Sequence, residues 1–243
     1  MTSGDGYTRA RLGVIVPSIN TVVEPWFNAV CPFGVSVHAA RMFLDNNLTP
    51  EAVVRMDREE GRSALRQIAS CRPASVAYCC TASSIVQGLE YDDVLNHELS
   101  EAAGVPAFTA TRGIIEALHA MGARRLSIAS PYTTAIDEAE HVFFRAAGFE
   151  ILGSAHLGIS DSFRLAEPSP AAIYDLAQKA WHPDADALLI TCLNLRSHEV
   201  VDPLERQWKK PVVTSTQATF WKLLRSAGIS DRISGYGRLL IES

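Results

Sequence analysis

The sequence predicts an α/β fold of parallel sheets covered by helices on both faces, and three observations carry that expectation. Short, continuously apolar runs alternate with longer amphipathic stretches, the pattern of buried strands joined by crossover helices. The 243 residues suffice for one large α/β domain or two small lobes, either with a substantial core. The chain also repeats itself. RLGVIVPSIN (11–20) resembles RLSIASPYTT (125–134), SVAYCCTASS (75–84) resembles ALLITCLNLRS (187–197), and VPAFTATRGIIEALHAMG (105–122) resembles KPVVTSTQATFWKLLRSAG (210–228). The three blocks keep their order, with offsets of about 105 to 114 residues, as a duplicated unit would.

Each element follows from its local pattern. Apolar runs predict strands at 11–17, 35–42, 75–80, 106–109, 125–130, 150–158, 187–192 and 211–215. Amphipathic stretches predict helices from about Thr21, then at 50–70, 85–102, 111–121, 134–147, 170–180, 199–208 and 217–227.

Composition removes several function classes. Apolar residues make up 47% and charged residues 20%, an ordinary globular balance. With 22 basic against 27 acidic residues the net charge is −5 and no basic stripe appears, so nucleic acid is not the expected partner. No apolar run approaches the ~20 residues of a membrane span. The N-terminus is polar and leads straight into a strand, without the features of a secretory signal, so a cytoplasmic location is expected. The five cysteines are odd in number and irregular in spacing, which argues against a disulfide framework. With no CxxC and no histidine at ligand spacing, no metal is expected.

Ligands of parallel α/β sheets bind at the carboxyl ends of strands. Pro17-Ser18, Cys80-Thr81, Pro131-Tyr132 and Cys192 all fall at such ends, and two lobes that face each other would set Cys80 and Cys192 beside one cleft. A thiolate is both a soft nucleophile and a base, with an unperturbed pKa near ~8.5. An acid–base or nucleophile–acid pair calls for one cysteine as thiolate and the other as thiol. Thr81, Ser83 and Ser84 follow Cys80 and offer hydroxyls to a carboxylate without adding charge. Asn20 serves either as a ligand contact or as a helix cap. Tyr132 is either a contact or a packed aromatic. Cys31, Cys71 and Cys79 read as core, His141, His156 and His198 as surface or capping residues, and Asp57-Arg58-Glu59-Glu60 as a solvated helix face.

Five segments together, PSIN (17–20), YCCTASS (78–84), SPY (130–132), TCLNLRSHEVVDPLE (191–205) and PVVTSTQATFW (211–221), resemble the aspartate/glutamate racemase superfamily. The closest branch is similar to maleate cis-trans isomerase and arylmalonate decarboxylase, and GYGRLLIES (235–243) is similar to the decarboxylase tail. The resemblance implies two pseudo-symmetric Rossmann-like lobes with parallel sheets and a shared interlobe cleft, with no cofactor and no metal. The expected lobes are 1–112 with 229–243, and 113–228. It also implies catalytic roles for Cys80 and Cys192 on opposite sides of a small carboxylate. In the isomerase branch the residue matching Cys80 adds to a double bond and the one matching Cys192 handles the proton. In the decarboxylases glycine replaces the first cysteine. The implied substrate contacts are Asn20, Thr81, Ser83, Tyr132, Ser162, Leu193 and Asn194. Ser162 stands where the isomerases carry asparagine, and Thr81-Ala82 and Leu193-Asn194 depart from the maleate enzymes. The function expected is a cofactor-independent isomerase or racemase, most simply a maleate-type isomerase. The alternatives are an arylmalonate-type decarboxylase with Cys192 as proton donor, and a non-catalytic carboxylate binder. A homo-oligomer is expected.

Overall fold

The computed structural model describes residues 8–243, so the polar stretch 1–7 lies outside the described residues. The first half runs β1 (Ala10–Pro17), α1 (Val23–Val30), β2 (Val35–Met42), α2 (Pro50–Ser70), β3 (Ser75–Tyr78), α3 (Thr81–Gln87), α4 (Leu89–Ala103), β4 (Ala107–Thr109) and α5 (Ala110–Ala120). The second runs β5 (Arg125–Ser130), α6 (Thr134–Ala146), β6 (Glu150–His156), α7 (Pro170–Ala180), β7 (Ala187–Ile190), α8 (Val201–Trp208), β8 (Val212–Thr214), α9 (Ser215–Ser226) and α10 (Leu239–Glu242). Two parallel four-stranded sheets result, ordered β2-β1-β3-β4 and β6-β5-β7-β8. The same order twice is the structural form of the sequence repeat.

Local chemistry sets the boundaries. Thr49 caps α2 by accepting from the Ala52 N–H, and Pro50 opens the helix where a missing N–H costs nothing. The Thr214 and Gln217 pair forms a capping box at α9. The central strands β3 and β7 are buried on both faces, whereas the outer strands β2 and β6 are partly exposed. The lobes are joined by packing of α5 on α9, α3 on α6, and α9 on β3, where the Ser75 hydroxyl donates to the Leu223 carbonyl at 2.9 Å. In the C-terminal segment, Asp231 pairs with Arg9 at 2.6 Å, while the Gly237 and Arg238 N–H groups donate to Asp202 and Glu205.

Three expectations need correction. The strands expected at 75–80 and 187–192 end two residues early, at Tyr78 and Ile190, because the backbone turns there. Cys80 caps α3 in an extended conformation, and Cys192 adopts φ +81, a region that costs a non-glycine residue on the order of 1–3 kcal/mol. The single helix expected over 85–102 is two helices, α3 and α4, broken at Gly88, whose φ of +91 suits glycine. No helix among the described residues is long and apolar enough to cross a membrane.

Candidate active site

Cys80 and Cys192 border one small cavity of about 40 Å³ between the two sheets. Residues after β1 (Ile19, Asn20), β3 (Cys80, Thr81), β5 (Tyr132) and β7 (Cys192, Leu193, Asn194) supply its walls, so both lobes contribute equivalent turns. Its cover is apolar: Leu44, Leu48 and Leu165 come from the loop after β2 and from a 3₁₀ turn at Phe163–Ala166. Among the described residues no charged side chain lines it. The volume holds roughly two or three waters, so a larger ligand enters only if the cover moves.

The cover is clasped across the lobes. Leu48 N–H donates to the Ser160 carbonyl at 2.9 Å, Ser162 N–H to the Asn46 carbonyl at 3.0 Å, and the Ser162 hydroxyl to the Asp45 carbonyl at 2.8 Å. Asn194 adds a second stitch: its Oδ1 accepts from Thr21 N–H at 3.0 Å and its Nδ2 reaches the Ile19 and Ser162 carbonyls at 3.4 Å.

The structure therefore divides the residues singled out from sequence. Asn20, Thr81, Tyr132, Leu193 and Asn194 line the cavity with the two cysteines; Ser83 and Ser162 do not. Ser162 spends its hydroxyl on the clasp, and Ser83 donates to Asp57 at 2.8 Å behind the Cys80 turn. Asn20 both caps and lines: its Oδ1 accepts from Val22 and Val23 at 3.0 and 2.9 Å, which delays α1 to Val23. Its Nδ2 has no hydrogen-bond partner among the described residues, leaving a free donor at the cavity. Thr81 bridges to Ser215 at 3.3 Å. Cys79 also borders the cavity, but its Sγ turns to the Ala77 carbonyl. Arg196 lies outside the cavity walls, partly exposed near Glu199.

Burial raises both thiols. Cys80 and Cys192 are each pushed up to about 12, with desolvation the largest cause in both. For Cys80 the Asp57 charge adds to the rise, while the Ser83 hydroxyl and the Ser83 and Ala82 N–H groups oppose it. For Cys192 the Asn194 N–H and the Tyr132 hydroxyl oppose it. Burial therefore favours the thiol form at both cysteines in the closed cavity, and no charged side chain among the described lining residues offsets it.

Two carboxyl groups escaped the sequence reading. Asp57 is not a solvated helix residue; it sits behind Cys80 with hydrogen bonds from Tyr78, Ser83, Gln87 and Tyr91. Glu140 on α6 is fully buried with both oxygens unpartnered, and burial drives its pKa well above the carboxylate range. It is close enough to Cys192 and Tyr132 to act on both. No local signal marks either, since their neighbours come from distant segments. Of the histidines, His141 and His156 flank Asp137 at 3.5 and 3.4 Å. His198 is not a surface residue: it stacks on Trp26 with centroids 4.8 Å apart, and burial lowers it to about 4.

Paired parallel-sheet lobes with two cysteines on one interlobe cavity define a protein of the aspartate/glutamate racemase superfamily type. More narrowly, the chain belongs to the arylmalonate decarboxylase family, whose sequence profile matches residues 12–240. It is 28% identical to a maleate isomerase of Pseudomonas putida over 243 aligned residues, covering 95% of this chain and 96% of that one. It is 29% identical to an arylmalonate decarboxylase of Bordetella bronchiseptica over 238, covering 93% and 98%. Among solved structures, a maleate isomerase of Pseudomonas putida S16 with maleate superposes with a TM-score of 0.90 at 26% identity, covering 95% of this chain and 96% of that one.

Proposed function

We propose that the protein is a cofactor-independent isomerase that interconverts cis and trans forms of a small unsaturated dicarboxylate of the maleate type. The observation that carries this reading is the presence of two cysteines, Cys80 and Cys192, on one neutral cavity. Decarboxylation with proton donation calls for one thiol, whereas addition to a double bond followed by proton handling calls for two groups. The maleate isomerase relative supports the same substrate class.

In this reading the Cys80 thiolate attacks one alkene carbon. A C–S bond forms, and the π electrons move to the neighbouring carbon and its carboxylate. Cys192, beside Tyr132 in the cavity wall, protonates that carbon and, once the bond has rotated, takes the proton back. Rotation about the new single bond and expulsion of the thiolate regenerate the alkene in the other geometry. Asn20 Nδ2, the Thr81 hydroxyl and the Tyr132 hydroxyl are the donors assigned to the carboxylates. They are neutral groups that gain value as charge builds on the substrate.

The test is proton NMR of maleate with the enzyme in deuterated water. Conversion to fumarate supports the reading; no conversion of any cis diacid refutes it. Incubating the Cys192→Ala variant with maleate should leave one molecule of the acid on the Cys80 peptide. A second reading, decarboxylation of a substituted malonate with Cys192 as proton donor, is favoured by the decarboxylase relative, and loss of carbon dioxide in the same assay would select it.

A further inference from the structure

A groove runs along the solvent side of the first lobe, where α2 and α4 lie alongside each other. It has two stretches of about 450 and 650 Å³, which share Arg62, Leu65 and Glu98. The floor is apolar, built from Leu65, Leu95 and Leu99. The walls are opposite in charge. Arg58, Arg62 and Arg66 recur every fourth residue along α2 and so form one row. Glu98 and Glu101 stand across from them on α4. All five are exposed, and among the described residues none has an ion-pair or hydrogen-bond partner, whereas Arg55 and Arg112 nearby pair with Asp45 and Asp93. Asp57, at the foot of the groove, does not neutralise the row, because its oxygens are taken by Tyr78, Ser83, Gln87 and Tyr91.

The rim of the groove on the α4 side is a ridge that matches it. Val94 is 57% exposed, and Glu98 and Glu101 follow four and seven residues later on the same side of the helix. An apolar residue followed by carboxylates complements an apolar floor beside a row of arginines. Helices pack in this manner, the ridge of one in the groove of others, with axes about 8–10 Å apart. The 21 residues of α2 span about 31 Å. Two helices side by side then offer a strip of about 30 by 20 Å. Counted flat, this approaches the roughly 800 Å² per partner of a stable interface.

We propose that the α2–α4 groove is a dimer interface occupied by a second copy of this chain, with the α4 ridge of each copy seated in the groove of the other. A second copy is the occupant whose own surface supplies both ridge and groove, and two-fold symmetry makes every contact occur twice. The charges also select the symmetry axis. An axis across the groove would set α2 on α2 and arginine on arginine. An axis parallel to the helices sets the arginine row of each copy on the glutamates of the other. Arg62 and Glu98 bound the same two stretches of the groove, so they stand at one level and meet across that axis.

The test is sedimentation velocity on the full chain and on charge-reversed variants, each checked for folding by circular dichroism. The parent should be a dimer whose dissociation constant rises with salt. Arg62→Glu or Glu98→Arg alone replaces two attractions by two repulsions and should weaken the dimer by about ten- to a hundredfold. Both substitutions in one chain set opposite charges against each other again and should restore it. Mixing the two single variants should likewise give a mixed dimer, since the two glutamates of one chain then face the two arginines of the other. A general loss of packing would not be repaired in either way. A parent that stays monomeric at high micromolar concentration would overturn the proposal. So would a dimer that neither reversal weakens, or one that neither the doubly reversed chain nor the mixture restores. Should the doubly reversed chain fail to fold, the mixture decides alone.

Discussion

Replacing Tyr132 by phenylalanine removes one oxygen atom from the cavity wall and nothing else. Tyr132 is 3% exposed, and its hydroxyl stabilises the thiolate form of Cys192. A hydrogen bond to a charged group contributes about 1.5–3 kcal/mol, which corresponds to a further rise of about one to two pKa units at Cys192. That alone lowers the rate of a step needing this sulfur as base by about ten- to a hundredfold near neutral pH. If the same hydroxyl also donates to the charge developing on the substrate, the loss in turnover reaches about 10²–10³. Stability should change by no more than about 1 kcal/mol, since the lost bond is offset by easier burial of the ring. The assay combines kcat and KM on maleate with thermal melting and the pH midpoints of iodoacetamide labelling at both cysteines. The expected outcome is a large fall in kcat, a small change in KM, an unchanged Tm, and a midpoint raised at Cys192 but not at Cys80. Turnover within twofold of the parent, or a loss that follows a lowered Tm while Cys192 labelling stays put, would refute the reasoning.

Other expectations follow from the same geometry. Cys80→Ala and Cys192→Ala should each remove nearly all turnover in a folded protein, whereas Cys79→Ala stays active because its sulfur faces the Ala77 carbonyl; steady-state kinetics with circular dichroism checks both. Ser162→Ala deletes one bond of the cross-lobe clasp, so both buried cysteines should label faster and KM should shift more than kcat. Burial pushes Glu140 well above the carboxylate range and favours its neutral form, so Glu140→Gln should leave Cys192 labelling within about twofold; acceleration of tenfold would mean that Glu140 is ionised in the parent. Both active-site thiols have folded pKa values raised to about 12, so their contribution to stability is complete below the unfolded thiol value and declines from there up to about pH 12. Each Cys→Ala variant should flatten the alkaline fall in stability, read by denaturant unfolding, by up to about 1.4 kcal/mol per pH unit.

The repeat made the architecture legible: paired blocks around Pro17, Cys80 and Pro106 and around Pro131, Cys192 and Pro211 became two sheets with one strand order. Asn20 was legible as a cap because capping is local, and its second role rests on a free Nδ2 that only the cavity reveals. What remained hidden depends on contacts between distant segments. Asp57 occupies an ordinary position in a charged helix, and only the approach of Tyr78, Ser83, Gln87 and Tyr91 takes it out of water. Ser162 was matched to a substrate-binding asparagine, but its partner is the Asp45 carbonyl, 117 residues away. The environment of the thiols was hidden for the same reason: one thiolate was expected from what an acid–base pair requires, and the lining leucines that help to bury both sulfurs come from two remote loops.

That closure links access to reactivity. With both thiols near 12, the thiolate at neutral pH is a fraction of about 10⁻⁵, a cost of about 7 kcal/mol for ionising one sulfur in the closed state. Desolvation is the largest cause at each cysteine, so hydration of the cavity is the most effective way to lower that cost. A dicarboxylate cannot enter about 40 Å³ either, and admitting it requires the same cover, Leu44, Leu48 and Leu165, to lift. The movement that lets substrate in therefore brings water to the thiols, and ionisation becomes easiest as substrate arrives. When the cover returns, the charge is trapped among neutral donors, where it is a stronger base and nucleophile than in water. A cation in the wall would have broken this coupling by holding a thiolate permanently. The absence of any charged side chain from the described cavity wall keeps the resting thiols neutral between turnovers.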